Sequence, residues 1–264
     1  MKKIDIIINA KHTYTLQGEG VGYLENNSIA VDKGKIVAIA PIEEINKEYK
    51  AEKVIDAKDK LVMPGFIDAH MHTSMCALRG LAQDVNNWMM HGAGPFQTNS
   101  TNDTKIAGAK LGIAEAILNG TTTIGEDGQC ADDICKIIDK IGVRGNVSVR
   151  IREALVKVYE PGELYEYDEN FGNISLNETL EVYDKWHNKD NNRIRVLFGP
   201  QGADFVSEDM LMKIKRLSKE RNTNIHMHLS QGSRETKQME MRYGSRTIPW
   251  LAKKDFFDED FIGI

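Results

Sequence analysis

Hydrophobic and polar positions follow two regimes along the chain. Up to residue 60 the apolar residues come in short β-branched runs: Ile-Asp-Ile-Ile-Ile-Asn at 4–9, and 28–39 split by the turn-type Asp32-Lys33-Gly34-Lys35. Runs of this kind predict hairpins in a small β-rich segment. From residue 61 onward, strand-like and helix-like stretches alternate. Strands are expected at 61–67, 121–124, 145–151, 194–198 and 224–229, and a sixth begins at Phe261-Ile262-Gly263-Ile264. Helices are expected between them. Ile106, Ala109, Ile113, Ala116 and Ile117 recur at helical spacing over 102–119, with Asn102 or Asp103 as cap and Gly120 as stop. Further helices are expected at 131–141, 176–186, 207–221 (capped by Ser207) and 233–243, and the segments 73–101 and 157–173 read as long loops.

Strands alternating with helices imply βαβ units and a parallel sheet, either a (β/α)8 barrel of the TIM type or an open doubly wound sheet. No Gly-x-Gly-x-x-Gly follows a strand and no Walker lysine loop is present, so phosphate-cradle chemistry lacks support. Metal-ligand residue types sit at the C-terminal ends of strands, where barrels carry their sites. The expected fold class is therefore α/β, an incomplete (β/α)8 barrel at 61–264 preceded by a small β segment at 1–60. Five to six strand–helix units and about 200 residues fall short of the ~250 of a full barrel, so the chain reads as C-terminally truncated.

Composition narrows the class without changing it. Hydrophobic residues make up 41% of the 264 and charged residues 28%, ordinary values for a globular protein. The interspersed charges sum to −5, which argues against a nucleic-acid or anionic-membrane partner. Cys76, Cys130 and Cys135 form no Cys-x-x-Cys pair and no disulfide framework. No signal peptide or membrane span is read, and the cytoplasm is the expected compartment.

The candidate chemistry centres on Leu-Val-Met-Pro-Gly-Phe-Ile-Asp-Ala-His-Met-His at 61–72. In an extended chain residues i and i+2 share a face, so His70 and His72 can direct two imidazoles at one point, as a divalent metal needs. A second His-x-His, His226 and His228, ends the fifth expected strand. Glu126 and Asp127, after the second strand, could be taken for metal ligands, but the reading preferred is a plain turn before the helix at 131.

The 63–72 motif resembles the first barrel strand of the amidohydrolase superfamily, Pro-Gly-Phe-Ile-Asp-x-His-x-His. Leu78-Arg79-Gly80-Leu81-Ala82 with Trp88 looks like the branch that holds N-heterocycle deaminases and triazine or chlorohydrolase-type enzymes. In that family the N-terminal piece is half of a small β-sandwich. The resemblance implies a third ligand at His228, leaving His226 as a satisfied interior histidine. It also implies a proton-moving glutamate three residues after His228, where this chain has Gln231. An amide does not titrate in the relevant range, which departs from the deaminase pattern. Glu235, the fallback, is expected on a solvated helix face. Gln231-Gly232-Ser233-Arg234-Glu235 is closer to chlorohydrolase-like and aminohydrolase-like members. Gln201 stands where nucleoside-directed relatives often carry a histidine. Residues 194–200 contain no lysine to bridge two metals, so one divalent metal, zinc ahead of iron, is expected. The family's sixth-strand histidine and eighth-strand aspartate have no counterpart.

What the resemblance implies is a hydrolase that deaminates or dehalogenates a planar N-heterocycle with a metal-bound hydroxide. His70, His72 and His228 hold the metal, Gln231 stands at the proton-transfer position, and Trp88, Arg79 and Gln201 meet the substrate. Its small-molecule substrate is the expected partner, with self-association a further one. The alternative is a truncated or degenerate amidohydrolase without turnover.

Overall fold

Pro64, which has no N–H to donate, and Gly65 interrupt the apolar stretch that the sequence presents as a single strand at 61–67. Leu61 and Val62 instead finish β4 (Tyr49–Val62), while β5 (Phe66–Met71) starts after the break and contains His70 itself. The computed structural model describes residues 1–264 except 82, 83, 85–88, 158 and 161, with side chains left out at 89 and 90. Two compact units result, Met1–Gly65 and Phe66–Ile264.

In the first unit β1 (Lys2–Tyr14), β2 (Tyr23–Asp32), β3 (Lys35–Pro41) and β4 form one sheet in the order β3-β2-β1-β4. β1 runs antiparallel to β2 and parallel to β4, and helix α1 (Ile42–Glu48) joins β3 to β4. Ile4 and Ile7 of β1 meet Ala30, Ile45 and Tyr49 in a small core.

In the second unit β5, β6 (Thr121–Gly128), β7 (Arg144–Ile151), β8 (Ile194–Pro200), β9 (Ile225–Met227) and β10 (Phe261–Gly263) form a six-stranded sheet in sequence order, every neighbouring pair parallel. A doubly wound sheet reverses its strand order at a switch point. This one never does, which identifies an arc of a (β/α)8 barrel. Its helices are α2 (Gly94–Asn99), α3 (Asn102–Leu118), α4 (Ala131–Ile141), α5 (Glu169–Trp186), the short α6 (Lys189–Asn192), α7 (Glu208–Glu220), α8 (Ser233–Tyr243) and α9 (Thr247–Ala252).

Several local readings change in physical detail. Thr101, not Asn102 or Asp103, caps α3, its Oγ1 accepting Thr104 N–H at 3.2 Å. α5 begins at Glu169, about two turns before the expected start, because Asp168 caps it by accepting Phe171 N–H. The segment 73–101 is not a bare loop: a 3-10 turn at Thr73–Leu78, a π turn at Met89–Ala93 and α2 lie within it. Phe66 and Ile67 are 56% and 70% exposed, since β5 edges the sheet and pairs with β6 alone among the described residues. Elsewhere the strands are covered: Val147, Val149, Ile194 and Val196 pack on Ile134 and Ile138 of α4, and Phe198 and Ile225 on Leu211 and Ile214 of α7. No described helix is long and apolar enough to cross a membrane.

Candidate metal centre

The strands deliver their polar residues to one end of the sheet. β5 and β6 approach closely there because residue 125 is glycine: a Cβ would fall 2.2 Å from the Ala69 carbonyl oxygen. In the ladder Met71 then stands opposite Glu126. His70 Nε2 lies 3.2 Å from His72 Nε2, which lies 3.3 Å from His228 Nε2. Three ring nitrogens, from two strand tips 156 residues apart in the chain, thus face one small volume.

His72 Nδ1 sits 2.5 Å from the backbone carbonyl oxygen of Asp127. A carbonyl only accepts, so the His72 proton is on Nδ1 and its Nε2 lone pair faces the other two rings. His226 belongs to the interior: it is buried, and its Nε2 lies 3.1 Å from His70 Nδ1. Burial, followed by the His72 and His228 rings, pushes the His70 pKa down to about 4, and burial takes His226 to about 4 as well. Burial likewise lowers that of His228. His70, His226 and His228 are therefore neutral near pH 7, the state in which imidazole is a ligand.

The strongest departure from the sequence reading is at Glu126 and Asp127. They form no turn: β6 runs on to Gly128 and both side chains are buried at its tip. Asp127 Oδ2 stands 3.6 Å from His228 Nδ1, 3.8 Å from His72 Nδ1 and 3.2 Å from Arg150 Nη2 of β7. Burial works to raise the Asp127 pKa, but Arg150, then His228 and His72, outweigh it and hold it below the usual carboxylate range. Glu126 accepts the Thr73 N–H on Oε2, at 3.0 Å, and among the described residues has no partner on Oε1; burial pushes its pKa up to about 8. A sequence signal for Asp127 existed, namely opposite charges, Asp127 and Arg150, at the ends of two consecutive strands. His70, His72, Asp127 and His228 each offer a ligand atom within 4.8 Å of one another, a group that can hold a metal ion.

The other expected site residues scatter. Gln201 is in the wall of a cavity of about 420 Å3 with Arg150, Arg152, Tyr159, Tyr165 and Phe205, and its Oε1 accepts from Arg152 Nη1 at 3.3 Å. Arg79 does not line it; both guanidinium Nη atoms bond the Glu115 carboxylate, at 2.7 and 2.6 Å. Gln231 is exposed, and its backbone N–H donates to Glu235 Oε2 at 2.5 Å. Glu235 is not on a solvated face: it is buried and ties down the loop after β9, accepting also from Ser230 N–H and Thr247 Oγ1. Trp88 lies outside the described residues.

Residues 61–258 match the model of the amidohydrolase family. The chain belongs to the amidohydrolase family. Among curated amidohydrolase-type relatives, it is 30% identical over 237 residues to the 5-methylthioadenosine/S-adenosylhomocysteine deaminase of Thermoanaerobacter pseudethanolicus, covering 89% of this chain and 52% of that protein. The chain spans about half the length of the curated relatives it matches. Its fold is that of an adenosine deaminase from Xanthomonas campestris solved with bound zinc, with a TM-score of 0.87, 23% identity, and coverage of 99% of this chain and 57% of that one. It is also that of the atrazine chlorohydrolase from Arthrobacter aurescens complexed with zinc, at TM-score 0.80 and 17% identity, over 98% and 60% of the two chains.

Proposed function

We propose that this amidohydrolase chain holds one divalent metal, zinc ahead of iron, on His70, His72 and His228. The whole protein would hydrolyse a carbon–nitrogen or carbon–halogen bond of a planar N-heterocycle. The observation that carries the reading is the convergence of three Nε2 atoms at 3.2 and 3.3 Å. Ligand nitrogens about 2.0–2.1 Å from a zinc ion stand about 3.3 Å apart at tetrahedral angles, so the donors suit the ion. Bound there, a divalent ion supplies Lewis acidity and a water activated at neutral pH.

The chain's own residues account for binding and orientation. His72 is kept in its ligand tautomer by the Asp127 carbonyl. The cavity beside the cluster is walled by Tyr159, Tyr165 and Phe205, with Tyr165 and Phe205 stacked at 5.1 Å, flat apolar surfaces suited to a heteroaromatic ring. Gln201 offers an amide to that ring's polar edge. Arg150 and Gln129 line this cavity and also the recess that contains His72 and Asp127, which connects the two. Gln231 moves no proton, so proton transfer is not assigned to that position.

Equilibrium dialysis of the purified chain against zinc, read by elemental analysis, tests the site. About one equivalent is expected, and less than a tenth of that in His72→Ala under the same conditions. A wild-type chain that retains no zinc, or an alanine variant that retains all of it, defeats the proposal. Ammonia or halide release from a panel of aminated and chlorinated purines, pyrimidines and triazines by the whole protein then separates the two leaving groups.

A further inference from the structure

We propose that Asp127 is a positioning residue of this centre, acting behind the histidines rather than joining them as a ligand; the inference rests on the metal reading above. Asp127 reaches the cluster with two different groups. Its backbone carbonyl takes the His72 Nδ1–H at 2.5 Å. Its carboxylate Oδ2 stands 3.6 Å from His228 Nδ1 and 3.8 Å from His72 Nδ1. These are ion-pair distances, longer than a hydrogen bond, and a negative charge there favours the proton on Nδ1 of each ring. The nitrogens that face one another at 3.2 and 3.3 Å are the Nε2 atoms, on the opposite edge of the same imidazoles. Asp127 therefore flanks the rings from the side away from their point of convergence.

Something must also hold Asp127. Arg150 Nη2, 3.2 Å from Oδ2, supplies the counter-charge, and both side chains are largely buried. One carboxylate on β6, fixed by one guanidinium on β7, thus steadies a histidine after β5 and another after β9. An outer carboxylate that sets ring orientation and tautomer typically changes metal affinity 10–100-fold when removed.

The test uses the 264-residue chain with zinc and with cobalt(II) as a spectroscopic probe. Chelator competition should show Asp127→Asn binding zinc about 10–100-fold more weakly at unchanged stoichiometry, with the cobalt absorption bands of the wild type. Long-range proton–nitrogen spectra of the metal-free protein should show His72 and His228 as Nδ1–H tautomers in the wild type. In the variant, His228 should shift towards a mixture. Arg150→Gln, which leaves Asp127 in place but unanchored, should weaken zinc several-fold and serves if Asp127→Asn does not fold. Wild-type affinity and tautomers in both variants overturn the inference. So does a cobalt spectrum of lower coordination number in Asp127→Asn, which would make Asp127 a ligand. A wild-type chain that takes up no zinc defeats the metal reading instead, and the tautomer spectra still decide the role of Asp127.

Discussion

Two aspartates five positions apart show how differently one fold treats the same side chain. Asp127, at the tip of β6, has a side chain 5% exposed and faces Arg150, His72 and His228. Asp132, in the first turn of α4, is 36% exposed and is held by Lys136, Lys185 and the Trp186 indole N–H. Both carboxyls are held below the usual range, though burial opposes the shift in each: Arg150 leads at Asp127, and hydrogen bonds from Lys185 and Trp186 lead at Asp132. Equal directions of shift conceal unequal energetics. At Asp132 water and salt replace most of what a lost partner gave, while at Asp127, whose side chain is 5% exposed, burial limits that replacement. The lesson is that a shifted carboxyl marks a working site only when its partners are buried with it.

The sharpest break of that comparison is Asp127→Ala. It leaves the Arg150 guanidinium buried without its counter-charge and should cost about 3–5 kcal/mol, read as the loss of unfolding free energy in urea for the metal-free chain. A cost below about 1 kcal/mol would place Asp127 in the same class as Asp132.

That contrast also explains what was legible in the sequence. The bounds of α4 and α8 and the alternation that builds the barrel arc follow from periodicity and breakers, which are local. His70 and His72 could be paired in the sequence because two residues apart on an extended chain share a face, while the choice of His228 over His226 came from the family resemblance. Asp127, Glu126 and Glu235 were not legible, since a polar residue after an apolar run reads as a turn or a solvated face until its neighbours are known. Their burial is made by segments far away: Arg150 beside Asp127, Thr73 above Glu126, and Thr247 against Glu235. The split at Pro64 and Gly65 was written in the chain but hidden by the apolar residues on both sides.

A middle-sized effect comes from Glu126, buried beside Asp127 but without a cation on it. Its folded pKa, about 8, exceeds the ordinary 4.5, so its neutral form stabilises the fold at low pH and that stability is lost as pH rises from 4.5 through 8. His70 and His226 act in the opposite sense. Their folded values of about 4 lie under 6.5, so stability is lost as pH falls from 6.5 through 4. Asp204, whose pKa burial pushes up to about 7, acts in the same sense as Glu126 below that pH. Between pH 7 and 8 Glu126 sets a decline of up to about 1.4 kcal/mol per pH unit. Urea unfolding between pH 7 and 8 should show this alkaline limb in the wild type and lose most of it in Glu126→Gln. A limb that survives the substitution assigns it to another group.

The smallest effect is the one that completes the comparison. Asp132→Asn keeps an oxygen for the Trp186 indole N–H, 2.6 Å away, and removes only the attraction to Lys136 and Lys185. Exposed pairs of this kind contribute about 0.2–1 kcal/mol, so the variant should lose no more than that. The loss should shrink further between 0.05 and 1 M salt, as the screening length falls from above 10 Å to about 3 Å. The Asp127→Ala loss should hardly change over the same range, because its partners are shielded by protein rather than by ions. If both losses faded together with salt, Asp127 would be in contact with solvent, and burial could not be what separates the two aspartates.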